Sequence, residues 1–273
     1  PGQSQPPNQR ARHEYGVMER LFDSWTGCQE RGPVPRPIRL FEEEGSVVME
    51  SSPGRRLDDL LRSARWGNQR AMEQTERAME ATGAWLREFQ SVTTPATGQP
   101  EVLEHWRREV EDNLSAAGPL VPDRIRWRVS AILAKAVPGG GVLEPTWVTG
   151  HHGDFWPGNV LVDRQSVQIV DFEGFRPGVA LEDPAYFLIH SHFSLDFPGC
   201  QRRFPGLRDA FWQGYGRDDP SRCQEYQLCR ISVCLRLLAM SAHGPQNSPG
   251  FAERRRMRRL HDTVAEAVKW IPA

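Results

Sequence analysis

The sequence predicts an α+β chain with a small β-containing N-terminal part and a mainly helical remainder. Three observations predict it. Extended, apolar runs are confined to residues 38–41, 46–50 and a patch at 147–172. Elsewhere apolar residues recur at three- and four-residue steps, as at Met18, Leu21, Phe22 and Trp25, or Met72, Thr75, Met79, Thr82, Leu86 and Phe89; this is the spacing of one helix face. A length of 273 residues, with 38% hydrophobic and 25% charged side chains, suits a small domain beside a larger one in an ordinary globular composition.

Residues 1–10 are polar and proline-rich, and a helical pattern begins at Ala11. Pro33 and Pro37 punctuate a link into the extended runs 38–41 and 46–50, which a turn at 43–45 joins. After a loop at 51–54, helices are expected near 56–64, 68–91, 101–116 and 122–136. The glycine run 139–141 precedes no helix and reads as a flexible link rather than a phosphate cradle. Residues 160–162 and 167–170 are strand-like, and Asp163, Arg164, Gln165 and Ser166 between them suit a tight turn. Beyond Asp183 the pattern is helical again, near 205–216, 222–243 and 251–270.

Several function classes are disfavoured. A formal net charge of −1 argues against broad nucleic-acid binding. No apolar run approaches the roughly 20 residues of a membrane span, and no secretory signal is visible, so neither a nucleic acid nor a membrane is an expected partner. The five cysteines (Cys28, Cys200, Cys223, Cys229, Cys234) are odd in number and lack CxxC spacing, the pattern of reduced thiols in a cytoplasmic protein.

Chemistry concentrates in residues 151–187. Pairing 160–162 with 167–170 as an antiparallel hairpin sets the start of one strand opposite the end of the other, which makes Asn159 and Asp171 neighbours. A carboxylate and an amide oxygen are hard ligands of the kind Mg²⁺ takes when phosphate oxygens complete its shell. Asp154 lies one tight loop earlier, with Pro157 and Gly158 turning the chain between, and an acidic group there can accept a proton from a substrate hydroxyl. Taken singly, Asp171 is an ordinary strand-end carboxylate; its spacing to Asp154 and Asn159 makes the difference. Adjacent His151 and His152 point in different directions, and no HExxH pattern supports zinc.

His152-Gly153-Asp154, four residues, Asn159, and then Ile169-Val170-Asp171-Phe172-Glu173 resemble the catalytic loop and metal motif of aminoglycoside phosphotransferases and choline-kinase-type small-molecule kinases. The resemblance implies a protein-kinase-like two-lobed fold: a partial nucleotide-binding lobe at 1–50, a hinge at 51–54 and a catalytic and acceptor-binding lobe at 55–273. It implies Asp154 as catalytic base, His152 as a brace of its loop, and Asn159 and Asp171 as Mg²⁺ ligands. Glu173 is then a further ligand or an exposed loop glutamate. Gly178 and Asp183 resemble a downstream structural element. Glu14 matches the helix glutamate that pairs with a nucleotide-binding lysine, and Glu50 and Ser52 fall on the strand end and hinge that hold the adenine of ATP, with GTP the alternative. His190 and His192 sit where the acceptor pocket begins, or are partly buried, hydrogen-bonded histidines. Trp156 stands where many relatives carry histidine.

The only lysines are Lys135 and Lys269, so the resemblance also implies residues before Pro1 that carry further strands and a cation for Glu14. The expected activity is transfer of a nucleotide γ-phosphate to a hydroxyl of a small molecule such as a sugar, an amino alcohol or an antibiotic. The alternatives are a degenerate kinase that binds without turnover and, less favoured, a protein kinase. From His190 onward thirteen Lys and Arg stand against eight Asp and Glu, which suits neutral or anionic acceptors better than a polycationic aminoglycoside.

Overall fold

The computed structural model describes residues 6–25, 33–64, 69–95, 100–136, 147–164, 166–195, 200–242 and 251–271. The glycine run 139–141, Gln165 and Cys28 lie outside them. In chain order the elements are α1 (Pro7–Trp25), β1 (Pro37–Phe41), β2 (Ser46–Met49), β3 (Arg55–Arg56), α2 (Leu57–Ala64), α3 (Gln69–Thr93), α4 (Pro100–Ala117), α5 (Asp123–Ala136), β4 (Val148–His151), β5 (Val160–Asp163), β6 (Ser166–Ile169), β7 (Arg176–Val179), α6 (Glu182–Ser194), α7 (Phe204–Tyr215), α8 (Gln224–Ala242) and α9 (Phe251–Ala267). The fold is α+β, and the described residues group into two compact units.

One unit comprises Pro1–Thr93, His151–Arg176 and Phe187–Asp218. Its α1 starts four residues before the expected Ala11, because Pro7 takes the first helical position, where no N–H is needed and the ring already holds a helical φ. β1 and β2 form the expected antiparallel pair. A three-stranded sheet has the order β3-β5-β6. The face of α3 expected to be core is buried at Thr75, Met79, Thr82, Leu86 and Phe89. α3 runs along α7 at backbone contact: a Cβ on Gly214 would lie 1.8 Å from the Glu80 carbonyl oxygen, and one on Gly83 would lie 2.1 Å from that of Phe211. Farther along the same contact the Tyr215 hydroxyl donates to Gln90 Oε1 at 2.5 Å. Trp85 organises the core beneath. Its ring stacks on Phe89 (5.0 Å) and Phe155 (5.8 Å) and meets Trp25 edge-on, while its indole N–H donates to the Pro33 carbonyl at 2.9 Å. A large apolar ring is thereby buried with its polar atom satisfied.

The other unit comprises Thr94–Gly150, Pro177–Tyr186 and Asp219–Ala273. α8 is buried on nearly every side and packs against α4 and α9. Its polar Ser232 is satisfied by donating to buried Glu182 at 2.6 Å, and the Arg236 guanidinium covers the Tyr186 ring at 4.2 Å. β4 pairs with β7, a strand built on Arg-Pro-Gly-Val that sequence pattern does not signal, since proline and glycine are depleted in strands. Cys223, Cys229 and Cys234 are free thiols. Burial pushes the Cys234 thiol up to about 12 and that of Cys229, which also lies near Glu182, well above its usual value, so both stay protonated. Among the described residues no helix is long and apolar enough to cross a membrane.

Candidate active site

The hairpin forms in the register that makes Asn159 and Asp171 close. β5 and β6 pair from Val160↔Ile169 to Asp163↔Ser166, and the ladder continues one step as the Val170 N–H donates to the Asn159 carbonyl at 3.1 Å. Asp171 is the next residue. Pro157 opens a 3₁₀ turn, Pro157–Asn159, that delivers Asn159 to the strand start. The Asn159 side chain is 8% exposed, and its amide N–H₂ donates to both the carbonyl (3.0 Å) and the carboxylate Oδ2 (3.2 Å) of Asp154. Two bonds from one amide fix its plane and leave its oxygen on the opposite edge.

His152 is fully buried against Phe172 (4.8 Å) and Phe155 (5.7 Å). Its Nε2 lies 3.2 Å from the Val170 carbonyl, which can only accept, so Nε2 carries the hydrogen. Nδ1 then accepts the longer 3.4 Å contact from the Asp154 N–H. The ring ties the loop bearing Asp154 to the strand end bearing Asp171. Gly153 brings the same two segments into backbone contact: its φ is 86°, and a Cβ there would lie 2.3 Å from the Gly174 carbonyl oxygen.

Asp171 is exposed and holds a left-handed backbone, φ 71°, a conformation that non-glycine residues adopt rarely and, when they do, often at functional sites. Its carboxylate accepts the Glu173 N–H, and the following turn closes with Phe175 N–H on the Phe172 carbonyl at 3.0 Å. Burial and then the Asp154 carboxylate raise its pKa; His152 opposes this, and Glu173 adds to it. Glu14 is also raised, by burial first and then by Asp171, with the Phe172 N–H pulling the other way. Folding raises both values, so the stability these groups contribute is fully present below the ordinary 3.8 (Asp171) and 4.5 (Glu14) and is lost as pH rises through the raised values. Mutually repelling carboxylates of this kind are relieved by a divalent cation. The donors fit one, because a carboxylate and an amide oxygen are the hard ligands Mg²⁺ shares with phosphate oxygens. Among the described residues no group of three or more His, Cys, Asp and Glu could hold a metal.

α1 reaches the same turn. Glu14 Oε1 accepts the Phe172 N–H at 3.3 Å, His13 Nε2 donates to the Phe175 carbonyl at 2.7 Å, and Arg10 pairs with Glu173. Sequence reasoning singled out Glu14 alone; Arg10 and His13 lie on the same helix face at i and i+3, but that spacing names no partner for them. Glu50 is exposed, with its N–H on the Arg36 carbonyl at 2.8 Å, and the Ser52 hydroxyl donates to the Gln168 side chain at 2.5 Å. The two α6 histidines diverge. His190 lies beside Trp156 of the Asp154 loop, with ring centroids 6.0 Å apart, whereas His192 stacks on Phe204 at 4.5 Å. Asp183 is buried in the first turn of α6.

No curated protein matches the sequence. Among solved structures, the chain is similar to a choline/ethanolamine kinase family protein from Mesorhizobium loti, with 15% identity, a TM-score of 0.57 and coverage of 95% of this chain and 82% of that one. It is also similar to a glucosamine kinase, with 18% identity, a TM-score of 0.57 and coverage of 95% and 68%. A third is amicoumacin kinase in complex with AMP-PNP and Ca²⁺, with 13% identity, a TM-score of 0.58 and coverage of 93% and 77%. At these identities the likeness is one of fold, the protein-kinase-like fold these kinases share. The model of the phosphotransferase enzyme family matches residues 6–226, and the chain belongs to that family.

Proposed function

We propose that the chain transfers the γ-phosphate of ATP, with GTP the alternative nucleotide, to a hydroxyl of a small molecule. The observation that carries this reading is the Asn159 amide, bonded to the Asp154 carboxylate while the hairpin sets it beside Asp171. Asp154 orients the acceptor hydroxyl and takes its proton, and Asn159 holds that carboxylate in place. Asn159 and Asp171 would hold Mg²⁺, with Glu173 adding charge to the same turn; such an ion supplies charge neutralisation for phosphate. His152 braces the two segments. Residues 1–50 and the hinge 51–54 form the nucleotide side, with Glu14, Glu50 and Ser52, and residues 55–273 form the catalytic and acceptor side. Of the two acceptor-side histidines, His190 lies beside Trp156 of the Asp154 loop, whereas His192 stacks on Phe204. The kinase relatives, one carrying a nucleotide analogue and a divalent cation, support the reaction class. Free, buried thiols support a cytoplasmic setting.

A panel of sugars, amino alcohols, macrolides and aminoglycosides, scored for acceptor-dependent ADP release with Mg²⁺, tests the reading. Turnover on one class is expected, first among neutral or anionic acceptors. Tight Mg·ATP binding with no release on any class would leave binding without turnover as the activity. Asp171→Ala should weaken Mg²⁺-dependent ATP binding more than Asn159→Ala does, because the carboxylate supplies charge where the amide supplies a dipole. Calorimetry with unchanged affinity in both variants would place the metal elsewhere.

A further inference from the structure

Asp171 is held on its upstream side by the hairpin, through the Val170 N–H on the Asn159 carbonyl. What holds its downstream side is α1. Three side chains spaced i, i+3 and i+4 on that helix meet successive groups of the turn at 172–175: Glu14 accepts from the Phe172 N–H (3.3 Å), Arg10 pairs with the Glu173 carboxylate, and His13 donates to the Phe175 carbonyl (2.7 Å). A side-chain row on one helix face has the pitch to follow such a turn.

We infer that Arg10 and His13, together with Glu14, form a latch that holds the 171–175 turn, and with it the left-handed backbone of Asp171, in the geometry the proposed phosphotransfer needs. A left-handed backbone costs energy at any non-glycine residue, less at aspartate than at most, and its surroundings must offset it; here one side is a strand ladder and the other is this latch. Arg10 and His13 are positioning residues, since they touch the turn rather than the reacting atoms. Neither is placed to matter much for folding. The Arg10 and Glu173 side chains are 41% and 42% exposed, where an ion pair contributes little, and His13 is exposed. The inference rests on the phosphotransfer reading for its purpose, but not for its geometry.

The test compares the parent chain with His13→Ala, His13→Gln and Arg10→Ala. Two quantities are read: hydrogen exchange of the amides at 172–175 by mass spectrometry, and Mg·ATP affinity by calorimetry. His13→Ala and Arg10→Ala are expected to speed exchange in that segment and to weaken Mg·ATP binding, each by roughly twofold to fivefold, with the thermal midpoint nearly unchanged. His13→Gln, whose amide N–H reaches the same carbonyl, is expected to restore both. Exchange at 172–175 unchanged in both alanine variants would overturn the latch, as would faster exchange spread over the whole chain. Should His13→Ala fold poorly, Arg10→Ala carries the comparison alone, because its pair is exposed. Local loosening in the variants of a parent chain that binds no Mg·ATP would uphold the latch and count against the phosphotransfer reading instead.

Discussion

Asp154→Asn is expected to lower kcat on the true acceptor by about a hundredfold or more, with Mg·ATP affinity kept. Asparagine has the same shape, and its carbonyl oxygen still accepts from the Asn159 amide. The second Asn159 bond, to the main-chain carbonyl of residue 154, is untouched by the change. What disappears is the proposed proton acceptor and one negative charge. Loss of that charge also lowers the repulsion on Asp171, whose pKa Asp154 helps to raise, so the metal end of the site should not suffer. Steady-state kinetics paired with calorimetry separates the effects: a fall in kcat at constant Mg·ATP affinity is the expected pattern. Near-normal turnover would show that Asp154 is not the base.

The second large effect concerns stability. Gly214→Ala should cost about 3 kcal/mol and lower the thermal midpoint by about 10 °C. The added methyl would lie 1.8 Å from the Glu80 carbonyl oxygen, a backbone atom that cannot step aside without moving α3. A control lies in the same helix. Gly206→Ala places its Cβ 4.0 Å from the Glu76 carboxylate oxygen and meets nothing closer, so the better helix propensity of alanine should leave stability unchanged or raise it by up to about 1 kcal/mol. Calorimetric melts of the two variants side by side decide whether backbone contact holds α3 to α7. Equal midpoints would mean that it does not.

The site was legible in the sequence wherever local spacing carries information, and opaque wherever partners lie far apart along the chain. Strand-like runs at 160–162 and 167–170 and a turn-forming composition between them specify a hairpin, and its register sets Asn159 opposite Val170, the residue before Asp171. Long helices with one apolar face were similarly plain, and α3 buries the residues expected of it. β3 was not, because two consecutive arginines show no strand pattern; they pair with Leu161 and Val162 because the chain after residue 54 runs past β5. The left-handed φ of Asp171 has no sequence signature either, since aspartate is equally at home in ordinary turns. The contacts of Arg10 and His13 were invisible for a different reason. Periodicity tells which face of α1 is apolar, but a polar face gives no hint of the partner it meets.

The contact between Glu14 and the Phe172 amide joins residues 158 apart. Closing a span of that length costs more chain entropy than closing a short turn, although the cost grows only slowly with length. The β5–β6 hairpin, by contrast, closes over a few residues. On the proposed function, the turn that carries Asp171 would then depend on a segment far from it along the chain: a change in α1 would reach the site through Glu14 without touching the hairpin.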